Sequence, residues 1–263
     1  NLGMNSYLYA PKEDSCHRQF WRKPYEEDWR QAFAAFASNA AARDIQVIAG
    51  IAPGLDFNFA SLDQDKVETN DFILLLEKAQ QFLADGATLI ALLMDDIAPD
   101  FNLRAGDFTS EGEAHGALTN KLGVALKNSL ILVPRIYADC LILKDDAHSV
   151  TYLSDLVGTL DNDHRIMYCG DSVVAATPSV DKGGCLSPAT SIIWDNFYAN
   201  DYCPRRLFLG PRRATIGYNI MFNPTGMIET DLLLLDIISY SREMANNKLS
   251  EHDAIVSETN WRS

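Results

Sequence analysis

The 263-residue chain, 47% hydrophobic and 22% charged, is long enough to bury one large α/β core or two small ones. Its formal charge of −14 argues against nucleic acid or an anionic membrane as the main partner and leaves a neutral ligand such as a sugar open. No apolar run approaches the ~20 residues of a membrane span, and no signal peptide is visible in a chain that begins at Asn1.

In chain order, residues 5–10 read as a short strand stopped by Pro11. A charged and aromatic loop follows at 12–22, too rich in function-bearing side chains to be a mere connector. Trp29, Phe33 and Phe36 at helical spacing predict a helix over 26–42 with those rings in the core. A strand at 45–51 closes on Ala52-Pro53-Gly54-Leu55-Asp56, and Phe72, Leu75, Leu76, Ala79 and Phe82 predict a helix over 62–84. The apolar run Ala87 to Met94 ends in Asp95-Asp96, which reads as a buried parallel strand delivering charge to its C-terminal edge. Further elements are a helix at 110–127, a strand at 129–133 running into Pro134-Arg135-Ile136-Tyr137, a helix at 150–160 and a strand at 165–170. Residues 171–189 are too rich in Gly, Pro and Ser for a helix. Strands at 191–194 and 217–222 and a helix at 228–245 complete the pattern, and the chain from 246 to 263 reads as a polar extension beyond a 1–245 domain.

Seven strands alternating with helices imply βαβ units and a parallel sheet. No glycine-rich phosphate loop follows a strand, so the better fit is a (β/α)8 TIM barrel with one strand missing from this chain. Its chemistry would sit at the strands' C-terminal ends, which carry Lys12, Asp56, Asp95, Asp96, Tyr137, Gly170, Asn196, Asp201 and Asn223. Cys16, Cys140, Cys169, Cys185 and Cys203 show neither CxxC nor zinc spacing; they are expected to be reduced, packed thiols of a cytoplasmic protein.

Lys, Asn, Asp, Tyr and Trp without a cysteine nucleophile or Ser–His pair suit a polyhydroxylated ligand. Two carboxylates are the minimum for glycoside hydrolysis, but adjacent aspartates do not give the usual separations. Adjacent positions become natural if the sugar's own 2-acetamido oxygen is the nucleophile. One carboxylate then steers the acetamido N–H while the other protonates the leaving oxygen.

Tyr7-Leu8-Tyr9-Ala10-Pro11-Lys12-Glu13-Asp14, His17-Arg18, Trp21-Arg22 and Pro53-Gly54-Leu55-Asp56 form a first set of blocks. Ala91-Leu92-Leu93-Met94-Asp95-Asp96-Ile97, Trp194-Asp195-Asn196, Asn200-Asp201-Tyr202 and Arg206-Leu207-Phe208-Leu209-Gly210-Pro211 form a second. Over nearly the whole chain these resemble the catalytic domain of glycoside hydrolase family 84, the O-GlcNAcases and hyaluronidase-like β-N-acetylglucosaminidases. The resemblance implies a retaining enzyme that removes terminal GlcNAc from protein or glycoside through an oxazoline, without metal or cofactor. It makes Asp95 the residue that orients the acetamido group and Asp96 the general acid and then base. Lys12, Asp201 and Asn223 would hold sugar hydroxyls, Asn196 the N-acetyl region, Tyr137 the neighbourhood of the acetamido oxygen, and Trp194 would pack beneath it. Tyr202 would face the aglycone. His17 and Arg18 are expected to pin the loop that presents Lys12, and Asp56 to fix its own loop.

Two departures accompany the resemblance. The family's first strand, with its Glu-Gly-Phe-Tyr-Gly-like end, has no counterpart, and Cys203 stands where some members have an acidic residue. Alternative readings are an endo-acting hyaluronidase-type hexosaminidase and, with the barrel incomplete, a non-catalytic GlcNAc-binding domain.

Overall fold

Among the described residues, short runs rich in aliphatic and aromatic side chains form seven strands: β1 (Ser6–Tyr9), β2 (Gln46–Ile51), β3 (Leu89–Leu93), β4 (Leu130–Val133), β5 (Arg165–Tyr168), β6 (Ser191–Asp195) and β7 (Asn219–Phe222). The helices between and after them are α1 (Glu27–Ala41), α2 (Asp71–Ala84), α3 (Glu111–Leu126), α4 (Ala147–Thr159) and α5 (Ile228–Asn246). The structure is a computed structural model that describes residues 4–63, 70–180, 185–199 and 219–246.

Two helix starts differ from the hydrophobic periodicity, each because of a cap. The helix expected over 62–84 is a 3₁₀ turn at Phe59–Leu62 and a separate α2, whose N-terminus is set by the Asn70 side chain accepting from Ile73 N at 3.2 Å. The α4 helix starts three residues before its expected position because the Asp146 carboxylate accepts from His148 N at 3.0 Å.

All seven strands are parallel and stand in chain order, β1 through β7. Each crossover returns to the neighbouring strand, the singly wound order of a β/α barrel. The side-chain period of two sorts every strand into two faces. Val47, Ala49, Ile51, Ile90, Leu92, Leu130, Leu132, Ile166 and Tyr168 pack outward on the helices, with Phe33, Phe72, Leu75, Phe82, Leu118 and Leu156 against them. Ile48, Ala91, Leu93, Ile131, Val133, Met167 and Ile192 form the opposite, inner layer, joined by Leu8, Ala10, Trp194 and Met221. Gly50 lies in that layer, where an added Cβ would come within 2.9 Å of Ala10 Cβ and 3.1 Å of Leu93 Cδ1. Both faces of the sheet are therefore filled, as buried parallel strands require. Among the described residues no helix is long and apolar enough to cross a membrane.

Candidate active site

The inner-face register, continued past the strand ends, reaches the residues the sequence picked out. Leu8 and Ala10 lead to Lys12, Ala91 and Leu93 to Asp95, Met167 to Cys169, Ile192 and Trp194 to Asn196, and Met221 to Asn223. Polar side chains thus gather above one apolar layer because strand geometry allots every second position to it.

Asp95 follows that register and is 4% exposed. Burial first, and then the adjacent Asp96 charge, push its carboxyl up to about 6, against smaller opposing contributions from Arg18 and Lys12. Its Oδ1 has no hydrogen-bond partner among the described residues. Asp96 would face the opposite way if the strand continued. Instead its backbone turns into the left-handed region at φ 54°, which Asp enters more readily than most non-glycine residues. That turn brings its carboxylate, 42% exposed, between two donors. Tyr137 Oη donates to Oδ1 at 3.0 Å and Lys12 Nζ to Oδ2 at 3.2 Å. Burial and the Asp96 charge hold the Tyr137 phenol far above its ordinary value, so it stays a donor.

The far side of the site is a chain of amides. Asn223 Nδ2 donates to Asn196 Oδ1 at 3.1 Å. Asn196 Nδ2 donates to Val173 O at 3.0 Å and to Cys169 Sγ at 3.3 Å. Both Asn196 Nδ2 hydrogens thus go to protein partners, while its Oδ1 accepts from Asn223. The Trp194 ring lies against Tyr137 with centroids 5.1 Å apart. Asp201, together with Tyr202 and Cys203, lies outside the described residues.

The loop after β1 is built as a rigid bracket. Asp14 accepts from Tyr9 Oη, Tyr25 Oη and Cys16 N at 2.8–2.9 Å. His17, kept neutral by burial, pairs its Nδ1 with Gly50 O at 2.9 Å. Trp21 Nε1 and Arg22 both donate to the Asp56 carboxylate, and Arg22 also takes both oxygens of Asp71. Asp56 is thus a loop-fixing carboxylate, as expected. Arg18 joins the same loop to the Asp95–Asp96 backbone across the site.

Sequence reasoning missed a second support, beneath Tyr137. Arg135 Nε donates to Glu111 Oε2 at 2.6 Å in a pair that is 8% and 2% exposed. Arg135 N donates to Tyr152 Oη, which in turn bonds His115 Nδ1 at 2.7 Å. His115, inside the protein, is pushed down to about 3 by burial and so serves as a neutral acceptor. An Arg two positions before a site tyrosine and a Glu opening the preceding helix were the available signals. Among the described residues no three His, Cys, Asp or Glu side chains gather closely enough to hold a metal ion.

A family model described as beta-N-acetylglucosaminidase matches residues 1–227. The Protein O-GlcNAcase of Mus musculus is 32% identical over 219 residues, 80% of this chain and 23% of its own length, and that of Rattus norvegicus gives the same values. The structure of CpGH84B is similar at TM-score 0.72 and 25% identity, over 90% of this chain and 42% of that one. A mutant of the Thermobaculum terrenum O-GlcNAc hydrolase reaches TM-score 0.78 at 22% identity, over 96% of this chain and 55% of that one, a likeness of fold. The chain spans about a quarter of the length of the curated relatives it matches.

Proposed function

The chain belongs to the β-N-acetylglucosaminidase family, and from that premise we propose that it forms the sugar-cleaving site of a retaining β-N-acetylglucosaminidase acting on O-GlcNAc-type substrates. The observation that carries the reading is the division of labour between Asp95 and Asp96. The first is buried with an unpartnered oxygen, suited to accept the acetamido N–H and to steer the acetamido oxygen onto the anomeric carbon. The second is the more exposed and accepts from Lys12 and Tyr137 as a carboxylate; in this reading it takes up a proton, gives it to the leaving oxygen and later takes one from water. The intermediate is an oxazoline formed by the substrate's own amide, so the two inversions at the anomeric carbon sum to retention.

Lys12, Asp201 and Asn223 hold sugar hydroxyls in this reading. Trp194 gives the acetamido methyl an apolar wall, and Asn196 acts through Asn223. The sheet is taken as part of a (β/α)8 barrel, in which an eighth strand pairing with β1 and β7 would complete the ring. The catalytic domain runs to about residue 245; residues 247–263 lie outside the described residues. A GlcNAc-bearing protein or glycoside is the substrate class.

The test is hydrolysis of aryl β-GlcNAc substrates by the full-length protein, with the product anomer followed by proton NMR. Retention and inhibition by a thiazoline mimic of the oxazoline are expected. Asp96→Asn should slow substrates with poor leaving groups by roughly a hundredfold or more while sparing activated ones, because only the former need the acid. Equal slowing across leaving groups would overturn the role given to Asp96.

A further inference from the structure

We propose that Arg18 is a positioning residue of this site, clamping the main-chain carbonyls of Asp95 and Asp96 so that both carboxylates serve one ligand. The inference rests on the reading of the site given above and deepens it.

Arg18 Nη2 donates to Asp96 O at 2.7 Å and lies 3.4 Å from Asp95 O. Those two carbonyls flank the Asp96 residue that leaves the strand by a left-handed φ of 54°. An Asp enters that region more readily than most side chains, and bonds to the flanking carbonyls hold it in that one conformation. Lys12 and Tyr137 hold only the Asp96 side chain; among the contacts described, Arg18 is the one side chain that grips the main chain of the doublet. The main chain that carries Arg18 is anchored, because the neighbouring His17 is bonded to the β2 carbonyl of Gly50 and its own carbonyl accepts from Ala52 N. The turn is thus tied through Arg18 to a loop held on the adjacent strand.

The same group sets charge. Around Asp95 stand Asp96, which opposes its ionisation, Arg18 and Lys12, which favour it, and the neutral Tyr137 and Cys169. Arg18 contributes more than Lys12. Its hydrogen bonds go to the main chain of Asp95 and Asp96, so it is placed to act through them.

The experiment compares Arg18→Gln and Arg18→Lys with the wild type in the full-length protein. The Asp95 carboxyl titration, followed by ¹³C NMR, is expected to move to higher pH in Arg18→Gln and to stay near wild type in Arg18→Lys, which keeps the charge. For aryl β-GlcNAc, kcat should fall roughly tenfold to a hundredfold in both variants, because lysine lacks the reach to hold the turn. KM should stay within about twofold. A folded Arg18→Gln with unchanged Asp95 titration and wild-type kcat overturns the proposal. If Arg18→Gln does not fold, Arg18→Lys decides: wild-type kcat there means that charge alone is needed and the clamp is wrong. Should the wild type itself leave aryl β-GlcNAc intact, the enzymatic reading fails, while the Asp95 titration still decides the effect of Arg18.

Discussion

At the scale of single residues, burial of Asp95 sets its charge against stability. Its carboxyl titrates near 6 in the folded protein and near its ordinary 3.8 when unfolded. Below about pH 4 it is protonated in both states and has no effect. Above about pH 6 it is ionised in both, and the folded state carries the full penalty, of the order of 3 kcal/mol. Asp95→Asn is therefore expected to raise the melting temperature by several degrees at pH 7.5, to leave it unchanged near pH 4, and to abolish hydrolysis; scanning calorimetry at the two pH values checks it. In the wild type, kcat/KM should rise as pH increases through about 6, as Asp95 ionises. The doublet itself was legible because an apolar strand ending in two carboxylates is a local pattern. The left-handed backbone at Asp96 and the Arg18 contact were not. The Arg18 contact joins positions 77 and 78 residues apart, and no local rule specifies such a pairing.

At the scale of elements, strand and helix identities followed from their periods, while helix starts followed from caps that the apolar stripe does not reveal. Asn70 and Asp146 moved two boundaries in this way. The register argument did more than locate strands: it placed Lys12, Asp95, Trp194, Asn196 and Asn223 over one face. Arg135 escaped it, because the chain leaves β4 and buries that side chain toward α3. Burial raises the Glu111 carboxyl despite the adjacent guanidinium, so the pair adds little net stability and matters for where it holds the Tyr137 loop. Removing one partner is different, since an uncompensated charge then stays inside. Glu111→Ala is expected to cost about 3–5 kcal/mol and lower the melting temperature by roughly 10 °C, measured by thermal and urea unfolding. A loss below about 1 kcal/mol would show that Arg135 finds water or Asp146 instead.

At the scale of the molecule, the alternation of strands and helices announced a singly wound parallel sheet, and the order β1 to β7 carries it out. Composition was silent on ring closure, which depends on one more strand pairing at the two edges. Among the described residues β1 and β7 each pair on one side, and Tyr7 on β1 is 50% exposed. Unpaired strand edges are templates for other chains. The 263-residue chain expressed alone is therefore expected to self-associate, seen as species larger than 29.2 kDa in light scattering. A stable monomer at micromolar concentration would mean that both edges are covered.

The packed layer of Ala10, Gly50, Ala91, Leu93, Ile131 and Met167 beneath Asp95 governs traffic. Among the described residues it fills the inner face below Asp95, which leaves the doublet open toward the strands' C-terminal ends. If Asp95 and Asp96 act as proposed, the leaving group and the incoming water share that open side, and the second half of the reaction waits on departure of the first product.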